Sequence, residues 1–201
     1  GSARFFYSRD QNASLATLQE RLHDEGWESD EKILMLTRKS IAKPLNWENL
    51  RTLYYNRHPF ALDDLLHGAD AFSETFQIIE DAIAAFDSHQ YGKLYRLLSI
   101  RHRKNDEQFS DPHKYKLHFS QAIEKLKDRC QSATIGQVLD YVWSNQLMPK
   151  TSRVTDLEDR SQSDDKIRTF LKEIQTTPYV EVSALYQYLN DKTPFSTKHG
   201  T

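Results

Sequence analysis

The side chains in this 201-residue sequence that could do chemistry fall into four groups. His113, His118 and Cys130 are zinc-ligand types, but a helix turns 100° per residue, so His113 and His118 point about 140° apart rather than sharing a face as residues at i and i+4 do. The adjacent carboxylates Asp63-Asp64 and Asp164-Asp165 diverge in the same way, and general acid–base catalysis by either pair is not expected. Asp64 reads as helix surface, and Asp164-Asp165 fits the first turn of a following helix, where the dipole favours negative charge. Cys130 continues an apolar stripe and reads as a small core residue rather than a nucleophile. His58 and His67 lack any partner pattern.

The fourth group is basic. Between Lys93 and Arg129 there are ten Lys or Arg against five Asp or Glu, a local +5 in a chain of net charge −2. Arg101, Arg103, Lys104, Lys114 and Lys116 lie in it, interleaved with Tyr91, Tyr95, Tyr115 and Phe119. Such a stretch can track a phosphate backbone. The competing reading is that the lysines solvate helix faces and the aromatics belong to the core.

Composition narrows the classes further. The six glycines, at positions 1, 26, 68, 92, 136 and 200, are too scattered for a phosphate-cradling loop, so neither Gly-x-Gly-x-x-Gly nor Gly-x-x-x-x-Gly-Lys-Ser/Thr occurs. A mean hydropathy of −0.75 and the absence of an 18-residue apolar run argue against a transmembrane helix. One cysteine cannot form an internal disulfide, and no charged-then-apolar leader opens the sequence, so a cytoplasmic protein is expected.

The elements that must hold these residues come in two kinds. Arg4-Phe5-Phe6-Tyr7-Ser8 predicts a strand; Leu15, Leu18 and Leu22 predict a helix capped by Asn12 or Ser14 and stopped at Gly26; Lys32 to Thr37 predicts a second strand. That order is the βαβ pattern of a parallel sheet. From about residue 44 to 190 the pattern is helical, with stripes at Phe72/Phe76/Ile79/Ile83/Phe86, Tyr91/Leu94/Tyr95/Leu98, and Tyr115/Phe119/Ala122/Ile123/Leu126/Cys130. Further stripes run through Ile135/Val138/Leu139/Val142 with Ser132 or Thr134 as cap, Ile167/Phe170/Leu171/Ile174, and Val182/Leu185/Tyr186/Leu189. Arg103 to Pro112 predicts a polar loop, and Lys150 to Asp165, nearly free of large apolar residues, a mobile connection. The expected fold class is therefore α+β and mostly α-helical.

Two segments at opposite ends carry a resemblance. Thr197, His199 and Gly200 match the first half of motif V, Thr-x-His-x-x-Lys-Gly-x-Glu-Phe, of superfamily 1A helicases of the UvrD/Rep/PcrA type. Ile33 to Ala42 resembles the strand and turn of that family's second motor domain, called 2A. Family members insert a helical 2B domain between these two segments, and the intervening stretch here is helical. The resemblance implies residues 1–43 as part of a RecA-like domain 2A, 44–190 as a 2B-like insertion, and 191–201 as a return into 2A that ends within motif V. It rests directly on about fifty residues.

The resemblance implies a fragment of an ATP-dependent 3′–5′ DNA helicase, with ATP and Mg²⁺ serving the parent protein. The family's phosphate loop, Asp-Glu box and arginine-finger motif do not occur in this segment, and Tyr55-Asn56-Arg57, read as surface, is not the last of these. The segment alone is thus expected to hold no cofactor and to be inactive. Thr197 and His199 would face DNA, where a hydroxyl and an imidazole can donate to phosphate oxygens without reading sequence. Arg38 and Lys39 would sit at the carboxyl edge of a parallel strand, also as phosphate contacts. The insertion would meet duplex DNA through Arg101, Arg103, Lys104, Lys114 and Lys116, or a regulatory protein partner. Two alternatives stand beside this: a helical protein-interaction or autoregulatory module without nucleic-acid binding, and an unrelated helical scaffold.

Overall fold

The computed structural model describes Asp24 and residues 41–58, 60–98 and 112–190. Nine α-helices run through them: α1 (Glu48–Arg57), α2 (Ala61–Leu66), α3 (Ser73–Asp87), α4 (Tyr91–Leu97), α5 (Pro112–Ser132), α6 (Ile135–Ser144), α7 (Ser152–Ser161), α8 (Asp165–Thr176) and α9 (Val180–Asn190). Mostly helical structure over this range agrees with the apolar periodicity. No strand occurs among the described residues, only an isolated antiparallel bridge between Thr134 and Pro178. The expected strand–helix–strand piece lies outside the described residues, as do residues 191–201. Ile41 and Ala42, on the near side of the expected boundary at 43, are buried in the helical core.

Helix α9 is central, packing on α1, α3 and α5, while α8 packs on α1, α6 and α7. The stripes are what they bury: Phe76 and Ile79 from α3, Leu94 from α4, Ile123 and Leu126 from α5, Ile135 and Val138 from α6, Val182 and Leu185 from α9. Trp47, Tyr54 and Tyr179 are the largest fully buried side chains. Each contributes on the order of 2 kcal/mol by leaving water, before the entropy of ordering it is set against that. Ring contacts fix the angles between helices. Tyr54 of α1 meets Phe170 of α8 edge-on at 5.2 Å, and Phe76 of α3 meets Tyr179 at 6.0 Å. Trp47 stacks on Tyr188 of α9 at 6.2 Å, which presses the turn ahead of α1 against the central helix.

Local signals set the helix starts. Thr134, rather than Ser132, caps α6: its side chain accepts from Gln137 N–H, and the Gln137 side chain accepts from Thr134 N–H in return. Asp164 accepts from the amides of Lys166 and Ile167 at the start of α8, with Asp165 in the first turn. The bridge at Thr134 is a hydrogen-bonded pair, Ile135 N–H to Thr177 O at 2.8 Å and Tyr179 N–H to Ala133 O at 3.0 Å. It ties the α5–α6 and α8–α9 corners together. Gly136 lets them approach, since a Cβ there would lie 2.9 Å from the Gln175 carbonyl oxygen.

Three expectations need correction. Lys150 to Asp165 is not a connection but contains α7, two and a half turns capped by Thr151 and anchored by buried Val154 and Leu157. Two apolar residues three apart suffice there because α8 covers them. Leu189 shares the α9 period yet is exposed. Arg57 is not free surface: it pairs with Asp70 at 2.8 Å and lies over the Phe170 ring at 4.6 Å, although Tyr55 and Asn56 beside it are exposed.

Candidate functional site

A polar site lies where α3, α5 and α9 meet the turn at residues 43–46. A groove of about 560 Å³ opens there, with Glu80, Ile83, Lys127, Cys130, Ser183 and Asn46 among its lining residues. Helix α9 enters this junction directly after the Thr134–Pro178 bridge, which fixes Tyr179 and, one turn on, Ser183. Ser183 Oγ donates to Glu80 Oε1 at 2.8 Å, a contact between residues 103 apart in sequence. Burial pushes the Glu80 carboxyl above its ordinary range, and the Ser183 hydrogen bond opposes that shift. The Tyr179 hydroxyl, fully buried beside Glu80 and Cys130, faces the Glu80 carboxyl as a second, looser hydroxyl partner that also opposes the shift. Burial pushes its ionisation well up, and Glu80 adds to the effect.

Cys130 is a buried free thiol whose ionisation burial pushes far up. It is therefore no nucleophile at neutral pH, in agreement with its place on the apolar stripe. No group of three His, Cys, Asp or Glu side chains among the described residues could hold a metal ion.

A second polar cluster is structural. Asp70, 4% exposed, accepts from Tyr54 Oη at 2.9 Å, Arg57 Nη1 at 2.8 Å and Phe72 N–H at 2.9 Å. A buried carboxylate with three donors, one of them a guanidinium, is satisfied within the fold.

The residues singled out from the sequence fall in different places. Arg38, Lys39, Arg101, Arg103, Lys104, Thr197 and His199 lie outside the described residues. Lys114 and Lys116 lie in the first two turns of α5. Elsewhere in the basic stretch, three cations have internal partners. Lys93 lies 3.5 Å from Asp81, Lys127 lies 2.8 Å from Asp87, and Arg129 lies over the Tyr141 ring at 4.8 Å. Tyr91 and Tyr95 pack against the core and Phe119 is buried, as the core reading of these aromatics expects. Glu80 and Asp70 carry no local sequence signal, because their partners are distant in sequence or set by tertiary packing.

Among the described residues no helix is long and apolar enough to cross a membrane. Comparison with protein-family models, curated proteins and solved structures finds no match to this chain.

Proposed function

We propose that this chain carries the helical accessory module of a UvrD/Rep/PcrA-like superfamily 1A DNA helicase, and that the module meets the phosphate backbone through the basic segment from Arg101 to Lys116. One observation supports this reading most. Helix α5 has no acidic residue in its first turn and begins Pro112-His113-Lys114-Tyr115-Lys116. A helix N-terminus carries about half a positive charge, so a cation in the first turn costs roughly 0.3–1 kcal/mol. A phosphate seated at that end reverses the sign, since backbone N–H groups and lysines then act together.

In the parent motor, Thr197, His199, Arg38 and Lys39 add contacts to the single strand, and ATP with Mg²⁺ drives unwinding from a site that this segment does not carry. The segment alone neither hydrolyses ATP nor unwinds DNA. The setting is the cytoplasm. Charge reversal at Arg101 and Arg103 should weaken binding to short duplexes of every sequence alike; a sequence-selective loss would contradict the reading. The family reading has its own check in the coding sequence on either side. Gly-x-x-x-x-Gly-Lys-Ser/Thr upstream and Lys-Gly-x-Glu-Phe directly after Thr201 support it, and their absence contradicts it.

A second reading, a helical protein-interaction or autoregulatory module, draws support from the groove beside Glu80. It predicts no binding to DNA at low salt.

A further inference from the structure

Glu80 sits in its groove with hydroxyls for partners and no cation paired with it among the described residues. Ser183 Oγ donates to it at 2.8 Å and the buried Tyr179 hydroxyl also faces it. Lys127, which lines the same groove, pairs with Asp87 on the groove wall rather than with Glu80, its Nζ at 2.8 and 2.9 Å from the two Asp87 carboxylate oxygens. A half-buried carboxylate without a counter-charge is costly, and a cation arriving from outside recovers that cost. The walls are apolar at Ile83, Val180 and Ala184, with Val180 47% exposed. Exposed amides stand around the rim at Asn46, Gln131 and Gln187.

This combination suits a long aliphatic stem that ends in a charge, flanked by backbone to be hydrogen-bonded. We propose that the groove seats a lysine side chain of an extended partner peptide, its ammonium meeting the Glu80 carboxylate and Ser183 Oγ. The stem lies along Ile83 and Ala184, as lysine stems cover apolar surface while the head finds charge. The rim amides, which both donate and accept, pair with the peptide backbone on either side. A volume of about 560 Å³ falls in the range that holds ligands well above the size of one side chain, which favours a peptide over a free amine. Charge complementarity selects the occupant: an acidic or purely apolar segment would leave Glu80 uncompensated. The inference stands apart from the DNA reading, because the groove and the α5 start share no residue.

The test is a titration of isotope-labelled protein, followed by amide chemical shifts, with the peptide acetyl-Ala-Ser-Lys-Ser-Ala-amide. Its counterpart with norleucine in place of lysine and n-butylammonium alone are run in parallel. The lysine peptide should shift the amides of Glu80, Ser183 and Ala184, and bind at least tenfold more tightly than either comparison probe. Glu80→Gln, which keeps the shape, should lose at least tenfold in affinity, and Ser183→Ala several-fold. Equal binding of the norleucine peptide, or unchanged binding to both variants, overturns the ammonium–carboxylate contact. Saturation by butylammonium at the same concentration as the peptide overturns the peptide as occupant. No shift at those three residues with any probe overturns the site.

Discussion

The carboxylate of Glu181, at the start of α9, caps α1 from 131 residues away: Oε2 accepts from Leu50 N–H at 2.8 Å and Oε1 from Asn49 Nδ2 at 2.7 Å. Helix α1 has no side-chain cap of its own, since Trp47 occupies the N-cap position. The Leu50 amide is therefore satisfied by tertiary structure, and a negative charge is placed where the α1 dipole favours it. Glu181 is only 5% exposed, so this contact is dry. Glu181→Ala should cost about 2–3 kcal/mol by stranding the Leu50 amide, read as a lower urea midpoint. A loss under about 0.5 kcal/mol would mean that α1 does not depend on this cap.

Glycine substitutions should separate two environments. Gly136→Ala drives a Cβ to 2.9 Å from the Gln175 backbone oxygen and should cost about 1–3 kcal/mol, because neither corner can yield without breaking the Thr134–Pro178 bridge. Gly92→Ala meets nothing within 4 Å in α4 and should gain about 0.5–1 kcal/mol. Thermal unfolding of the two variants, followed by far-ultraviolet circular dichroism, checks the opposite signs.

Cys130 should be silent in the native state. Its burial and suppressed ionisation predict that a thiol reagent reacts only as fast as the protein opens, and at full rate in denaturant. Rapid stoichiometric labelling of folded protein would contradict its core position.

Glu80 gives a pH dependence of known sign. Its folded carboxyl is raised above the ordinary 4.5 by burial, so the native state holds a proton that the unfolded chain releases. Stability contributed by this group is present below pH 4.5 and falls as pH rises through the folded value. Asp81, Tyr179, Tyr186 and Cys130 surround it and, like it, are anionic or neutral. Glu80→Gln should therefore raise the melting temperature relative to wild type at pH 8 and lose that advantage near pH 4. A constant difference between the two pH values would show that the carboxyl is not perturbed.

Much of the fold is legible in the sequence because helices announce themselves locally. The stripes through Phe76, Ile123, Val138 and Phe170 are those buried, and Thr134 and Asp164 act as caps. Helix α7 is not legible, because Val154 and Leu157 make too short a stripe to outweigh eight polar neighbours. Arg57 reads as surface until Asp70 and Phe170 are placed beside it. Nothing in the sequence links Glu80 to Ser183 or Glu181 to Leu50, since each pair exists only once α9 is packed.

The phosphate-contact claim is tested most directly by fluorescence anisotropy of a labelled short duplex over a salt series. Binding should be present at low salt and weaken steeply between about 50 and about 200 mM, as released counterions require. Replacing Lys114 and Lys116 by Glu should weaken binding and reduce the salt slope by about 1 for each lysine that meets a phosphate. Absence of binding at low salt, or an affinity that does not change with salt, would contradict it.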